Sequence, residues 1–162
     1  MSPVIQTEQF QKVPIENKNV IVFPQGIMGL EGLHEFVLID RSNKGYFLWL
    51  QSVEKSDICF LTIDPKRVID FFDPKLSRED LDMLKAKSIN ELIFLSIVNV
   101  DDDNESISVN LKSPIAVNGN EQLGSQIVLN DDKYLIQYAL KGKIKSKKNS
   151  KSIDSSVVKT LN

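Results

Sequence analysis

Short apolar runs, rich in β-branched and aromatic side chains, recur along the first 140 positions of the chain, at 20–23, 36–39, 46–50, 58–63, 92–100, 107–111, 115–117, 127–129 and 134–140. Clusters of turn formers separate them: Pro24-Gln25-Gly26, Ser42-Asn43-Lys44-Gly45, Lys55-Ser56-Asp57, the acidic stretch 101–104, Asn118-Gly119-Asn120 and Asn130-Asp131-Asp132. Gly, Asn, Asp and Pro punctuate a chain because they preset or tolerate turn dihedrals at little cost. The pattern predicts antiparallel strands joined by hairpins in a mainly β fold, a small barrel or sandwich. Several runs are apolar at consecutive rather than alternating positions, so both faces of those strands are expected to be covered.

One segment follows a different period. Ser77-Arg78-Glu79-Asp80 places a hydroxyl at an N-cap position and a carboxylate three residues on, with Leu81 and Leu84 following at helical spacing. That is a capping-box pattern, and it predicts one short helix over 78–88, covering an end or edge of the sheet with a narrow apolar face. Beyond Leu140 the composition turns to Lys, Ser and Asn, with few apolar residues, of which Val157, Val158 and Leu161 are able to dock weakly. So few apolar groups do not offset the entropy of ordering a backbone. The expected organisation is one folded domain over 1–140 and a disordered basic tail over 141–162.

Composition narrows the class. With 41% hydrophobic and 26% charged residues, the chain lies near the globular average and can bury a core. Its apolar runs fall short of the roughly 20 residues a bilayer requires. The stretch Met1-Ser2-Pro3-Val4-Ile5 has neither a basic region nor an apolar one, so no signal peptide is readable. Cys59 is the single cysteine, which suits a reducing compartment and a cytoplasmic protein. The net charge of −2 hides an asymmetry: residues 141–162 hold seven lysines and one aspartate, leaving −8 on the remainder. An acidic body repels nucleic acid and steers basic partners inward.

The inventory of reactive groups points away from catalysis. His34 is the only histidine, and a lone histidine beside a strand reads more simply as a loop residue than as a general base. Cys59 sits in Ile58-Cys59-Phe60-Leu61, where a thiol behaves as a small hydrophobe with a raised pKa. The acidic run 101–105 lacks the glycine and the distal glutamate of a calcium loop. Gly26, Gly29 and Gly32 are not spaced as a dinucleotide fingerprint. No cofactor or metal is expected. Two other classes stay open: a carboxylate-based enzyme using Asp64 with Asp70 or Asp73, and an RNA-binding barrel led by the lysine tail. The tail lacks interleaved aromatics for base stacking and reads first as solubilising.

Four blocks in order carry a resemblance. Phe23-Pro24-Gln25-Gly26-Ile27-Met28-Gly29-Leu30-Glu31-Gly32-Leu33, with Phe36-Val37-Leu38-Ile39 after it, resembles the N-terminal signature of the FliW family of flagellar assembly factors. Phe47-Leu48-Trp49-Leu50-Gln51-Ser52 and Phe60-Leu61-Thr62-Ile63-Asp64-Pro65 resemble its second and third blocks. Ser108-Val109-Asn110-Leu111-Lys112-Ser113-Pro114-Ile115-Ala116-Val117-Asn118, then Gly124 and Gln126, resemble its C-terminal signature. Leu30 stands where the family usually has an aromatic, and Met28 where proline is common.

The resemblance implies a non-enzymatic cytoplasmic protein that binds newly made flagellin and, alternately, the RNA-binding translational regulator CsrA, acting on it from outside its RNA site. The free protein is expected to be a monomer without membrane or direct nucleic-acid binding by its body. Polar residues at strand ends are the expected partner contacts: Gln51, Ser52, Asp64, Pro65, Asn110 and Pro114. Phe23, Phe36, Trp49 and Phe60 are expected in the core.

Overall fold

The computed structural model describes residues 19–41, 46–101 and 106–140, and the backbone alone of 4–7 and 11–14. The tail 141–162 and most of the turns at 42–45 and 101–104 therefore lie outside the described residues. Strands β1 (Val4–Thr7) and β2 (Gln11–Pro14) form a separate antiparallel pair. The main sheet contains β3 (Val20–Val22), β4 (Glu35–Ile39), β5 (Phe47–Ser52), β6 (Cys59–Ile63), β7 (Ile93–Val100), β8 (Ile107–Val109), β9 (Ile115–Asn118), β10 (Leu123–Gln126) and β11 (Tyr138–Ala139). Its strand order is β11-β8-β7-β6-β5-β4-β3-β10-β9, and β9 returns to pair with β7. Seven strands thus close into a barrel, with β8 and β11 as a side extension. Closure removes the open edges that invite mispairing.

Two local devices make the closure possible. The first is the seam between β3 and β10, the one parallel pairing in an otherwise antiparallel sheet, with Leu123 opposite Val22. Gln122 reinforces it: its carbonyl accepts the Val22 N–H at 2.9 Å, and its side-chain Nε2 donates to the Val20 carbonyl at 2.8 Å. The second is a bulge. β7 pairs through Val98–Val100 with β8 and through Ile93–Leu95 with β9, and the β8–β9 side carries three more residues between the two registers. The Asn110 side chain accepts the Ser113 N–H at 2.9 Å inside that excess. Extra residues on one strand bend it, so a single long β7 serves both the barrel and its extension.

Core packing follows the period of two along each strand. Phe47, Trp49, Leu61, Ile63, Val98 and Ala116 join one buried cluster, while Ile21, Phe23, Phe36, Leu50, Leu95, Ile115 and Val117 join the other. The first cluster is completed from outside the strands by Val68, Phe72, Leu84, Leu129, Tyr134 and Leu140. The consecutive apolar runs are explained by this double cover. The expected core aromatics Phe23, Phe36 and Trp49 are buried, and Phe60 is half-buried against the second cluster.

Several elements differ from the expectation, β1 and β2 among them, since the predicted runs began at residue 20. Helix α1 spans only Arg78–Met83, although its capping box forms as expected between Ser77 and Asp80. Lys85 at φ 53° turns the chain left-handed and ends it, letting Leu84 drop fully into the core. β10 was not expected, because Gly124, Ser125 and Gln126 give no β signal. Of the run 134–140 only Tyr138–Ala139 is a strand, and the run 127–129 holds no strand of its own. It does extend the ladder, with the Ile127 N–H on the Pro114 carbonyl and the Leu129 N–H on the Lys112 carbonyl.

Burial pushes the Cys59 thiol up to about 12. A thiol protonated across the neutral range is a poor nucleophile, so native protein at pH 8 should react with a thiol reagent far more slowly than the same protein in denaturant, as absorbance titration would read.

Candidate protein-binding surface

The six strand-end residues divide by exposure. Gln51, Ser52, Pro65 and Pro114 are buried, and Asp64 and Asn110 are half-buried. Gln51 Nε2 donates to the carbonyls of Ser52, Ser56 and Ile58 at 3.0, 3.3 and 3.1 Å. Ser52 Oγ accepts the N–H groups of Glu54 and Lys55 at 3.1 and 2.9 Å. Together they shape the β5–β6 turn from within. Asp64 caps a short 3-10 turn, Pro65–Arg67, by accepting the Lys66 N–H at 2.9 Å. Asn110 and Pro114 frame the β8–β9 bulge. The structure thus uses all six in loop construction, and only Asp64 and Asn110 also reach the surface.

The signature blocks meet in space through similar contacts. The loop 24–33 is closed by the Gly29 N–H donating to Glu31 Oε2 at 2.8 Å, and those backbone hydrogen bonds hold the Glu31 carboxyl below its usual range. Gln126 Oε1 accepts the Met28 N–H at 3.0 Å while its Nε2 donates to the Ser113 carbonyl at 3.1 Å. One side chain therefore fastens the first block to the last. On the far side of the loop, Glu54 accepts the N–H groups of His34 and Glu35 at 2.6 and 2.7 Å, which keeps its carboxyl lowered. His34 Nδ1 lies 2.9 Å from the Phe23 carbonyl. The lone histidine is thereby tied into the loop.

The surface feature that sequence reasoning missed is apolar. Phe71 is 70% exposed, Ile136 61%, Val128 53% and Leu135 51%. Leu135 and Ile136 line a shallow hollow of about 540 Å³ with Lys112, Tyr134 and Gln137. The Leu135 carbonyl accepts the N–H groups of Leu111 and Lys112, so the segment 134–136 is seated on the bulged strand. Phe71 is brought alongside by Phe72, whose ring meets the Tyr134 ring edge-on at 5.3 Å, and by the Asp73 N–H on the Tyr134 hydroxyl at 2.7 Å. Lys133 Nζ lies 5.7 Å from the Phe71 ring and 5.1 Å from the Tyr134 ring. Flanking charges are matched: Lys75 with Asp73, Lys112 with Asp132 and Lys133 with Asp131. Exposed apolar groups inside a charge-compensated rim are the usual make-up of a protein-contact surface.

Among the described residues there is no group of His, Cys, Asp and Glu arranged to hold a metal, and no helix long and apolar enough to cross a membrane. Of the carboxylates weighed for acid–base chemistry, Asp64 is taken up by its cap and Asp73 by Lys75, whose hydrogen bond lowers the Asp73 pKa. The hollow that Asp73 does line, with Lys75, Leu129, Asn130, Asp131 and Tyr134, includes neither Asp64 nor Asp70.

Comparison with known proteins agrees with the family resemblance. The FliW protein family model matches residues 4–140. Flagellar assembly factor FliW of Thermoanaerobacter pseudethanolicus is 34% identical over 88% of this chain and 95% of its own. That of Leptospira biflexa is 33% identical over 85% of this chain and 90% of its own. A crystal structure of the flagellar assembly factor FliW superimposes with a TM-score of 0.78 at 27% identity, covering 85% of this chain and 96% of that one. With a matching family model, matching full-length relatives and the same closed barrel, this chain belongs to the FliW family of flagellar assembly factors.

Proposed function

We propose that the protein is a cytoplasmic, non-catalytic binding partner of flagellin that also antagonises the translational repressor CsrA, coupling flagellin synthesis to secretion. The observation that carries this reading is the apolar surface of Phe71, Leu135 and Ile136 on a closed barrel of this family. A helical secretion substrate kept from self-assembly offers apolar stripes, and such a surface shields them. Isothermal titration of purified flagellin should give saturable binding, and a Phe71→Ala/Ile136→Asp double variant should weaken it at least tenfold, the scale of removing about 1.4 kcal/mol or more. Absence of flagellin binding to the unsubstituted chain sinks the reading.

The acidic body supplies the second half. CsrA holds RNA and is basic where it does so, and the −8 charge outside the tail attracts it while repelling phosphate. The loops framed by Gln51-Ser52, Asp64-Pro65 and Asn110–Pro114 are the proposed meeting points. Raising salt from about 50 to 500 mM shortens the screening length from about 14 to about 4 Å. Inhibition of CsrA–RNA binding should therefore weaken with salt when measured by competition at matched complex occupancy. Salt-indifferent inhibition removes the electrostatic contribution and leaves only a conformational one.

A further inference from the structure

The apolar surface and the C-terminal segment have complementary properties. The last described residue, Leu140, is 2% exposed and donates its N–H to the Ile107 carbonyl at 2.9 Å. The chain therefore departs four and five residues after Ile136 and Leu135, from the side extension that carries the hollow. The family model matches residues 4–140, and the segment that follows lies beyond that match. In it Ile153, Val157 and Leu161 recur every fourth position, with Val158 beside them, the interval that aligns side chains along one helical face. Between Leu140 and Ile153 lie twelve residues holding six lysines. Extended, that stretch spans about 40 Å, against a radius of gyration near 14 Å for a domain of this size.

We propose that Ile153, Val157, Val158 and Leu161 occupy the surface of Phe71, Val128, Leu135 and Ile136 in the free protein, so that the chain's own C-terminal segment is the resting occupant of its docking site. Val128 is exposed next to Leu129, whose N–H donates to the Lys112 carbonyl, and Lys112 donates its own N–H to the Leu135 carbonyl, which brings the two segments together in the ladder. The ion-paired rim leaves the hollow locally neutral, so the contact itself is apolar. The lysine-rich connector supplies attraction of opposite sign to the −8 body. Tethering makes even a weak contact effective, because a short flexible linker sets a local concentration in the millimolar range. A partner must then displace the segment, and apparent affinity falls by the fraction of chains in the open state. The docking stands whether or not flagellin is that partner.

The Cys59 thiol, whose pKa burial raises and which is expected to react slowly, permits a selective test on the full chain. Asn162→Cys carrying a nitroxide should reduce the amide signals of Phe71, Val128, Leu135 and Ile136 at least twofold more than the domain median, relative to the reduced label. Adding Val157→Asp with Leu161→Asp should abolish the localised loss. Uniform or absent broadening overturns the proposal, as does localised broadening that survives the two aspartates. A third outcome overturns it as well: equal broadening when the label and the isotope reside on different chains, which assigns the surface to a second copy.

Discussion

Phe36→Ala should remove about 3–5 kcal/mol of stability, the range for truncating a fully buried phenylalanine. Phe36 has no exposed surface and stands between two rings, with Phe23 edge-on at 5.3 Å and Phe60 at 6.5 Å. It is also fixed in the ladder on both sides, opposite Ile21 on β3 and Ser52 on β5. Neighbours so held cannot collapse into the void, so the cavity term adds to the lost transfer energy. Domains hold only about 5–15 kcal/mol in total, and the variant should retain a small part of it. Urea unfolding should show a lower midpoint with the slope unchanged, and the melting temperature should fall by about 10–15 °C. Phe71→Ala is the matched control. That ring is 70% exposed, so its truncation should stay within about 0.5 kcal/mol while weakening the proposed contact with flagellin. Equal stability losses for the two would contradict the packing described here.

Most barrel strands were legible because their signal is local. β4, β5, β6 and β7 are apolar, β-branched or aromatic, and bounded by turn residues, and consecutive apolar positions announced the double cover. The ends that close the barrel were not legible. β10 contains Gly124 and two polar residues, and it is a strand because Gln122 and Leu123 seat it against β3 while Ile115–Asn118 pairs along its other side. That is long-range pairing overriding weak propensity. The helix shows the converse. Its start was written in Ser77 and Asp80, whereas its end depends on Lys85 taking a left-handed turn so that Leu84 is buried, which the sequence of good helix formers conceals. The tail 141–162 lies outside the described residues.

For the candidate surface the obstacle was of another kind. Polar residues at strand ends looked available for partners, yet Gln51, Ser52, Pro65 and Pro114 are buried because turns need internal acceptors and donors as much as interfaces do. The apolar surface was hidden in pairs of adjacent hydrophobic residues. Phe71-Phe72 and Leu135-Ile136 lie outside the strands. Phe72 reaches the core and Phe71 is left outside, whereas Leu135 and Ile136 both face outward beside the buried Tyr134. A doublet in a turn-rich segment such as Asp70–Pro74 carries that hint, since a loop rarely buries both members. Choosing which member is exposed requires the contact between Phe72 and Tyr134.

The glycines in and beside the signature blocks should separate sharply under substitution by alanine. At Gly26 the backbone is left-handed, φ 69°, and an added Cβ would lie 2.6 Å from Glu31 Cα, 2.7 Å from its carbonyl oxygen and 2.9 Å from its carbonyl carbon. No rotamer relieves a clash with backbone, and Glu31 is held by its bond from the Gly29 N–H. Left-handed strain of about 1–2 kcal/mol joins an overpacking cost of about 1–3 kcal/mol, so Gly26→Ala should be among the most damaging single changes in the chain. At Gly124 the obstacle is a side chain, with Cβ only 2.6 to 2.9 Å from three atoms of the Phe23 ring. Overpacking alone predicts a loss of about 1–3 kcal/mol. Shrinking the ring should return part of it, so Gly124→Ala with Phe23→Leu should cost less than the sum of the two single changes. Gly32→Ala and Gly119→Ala meet no atom within 4 Å and should be nearly neutral. Thermal unfolding of the five single variants, Phe23→Leu included, and the double one measures all of this. If Gly26→Ala melts with Gly32→Ala, the loop does not hold the conformation that joins the first signature block to the last.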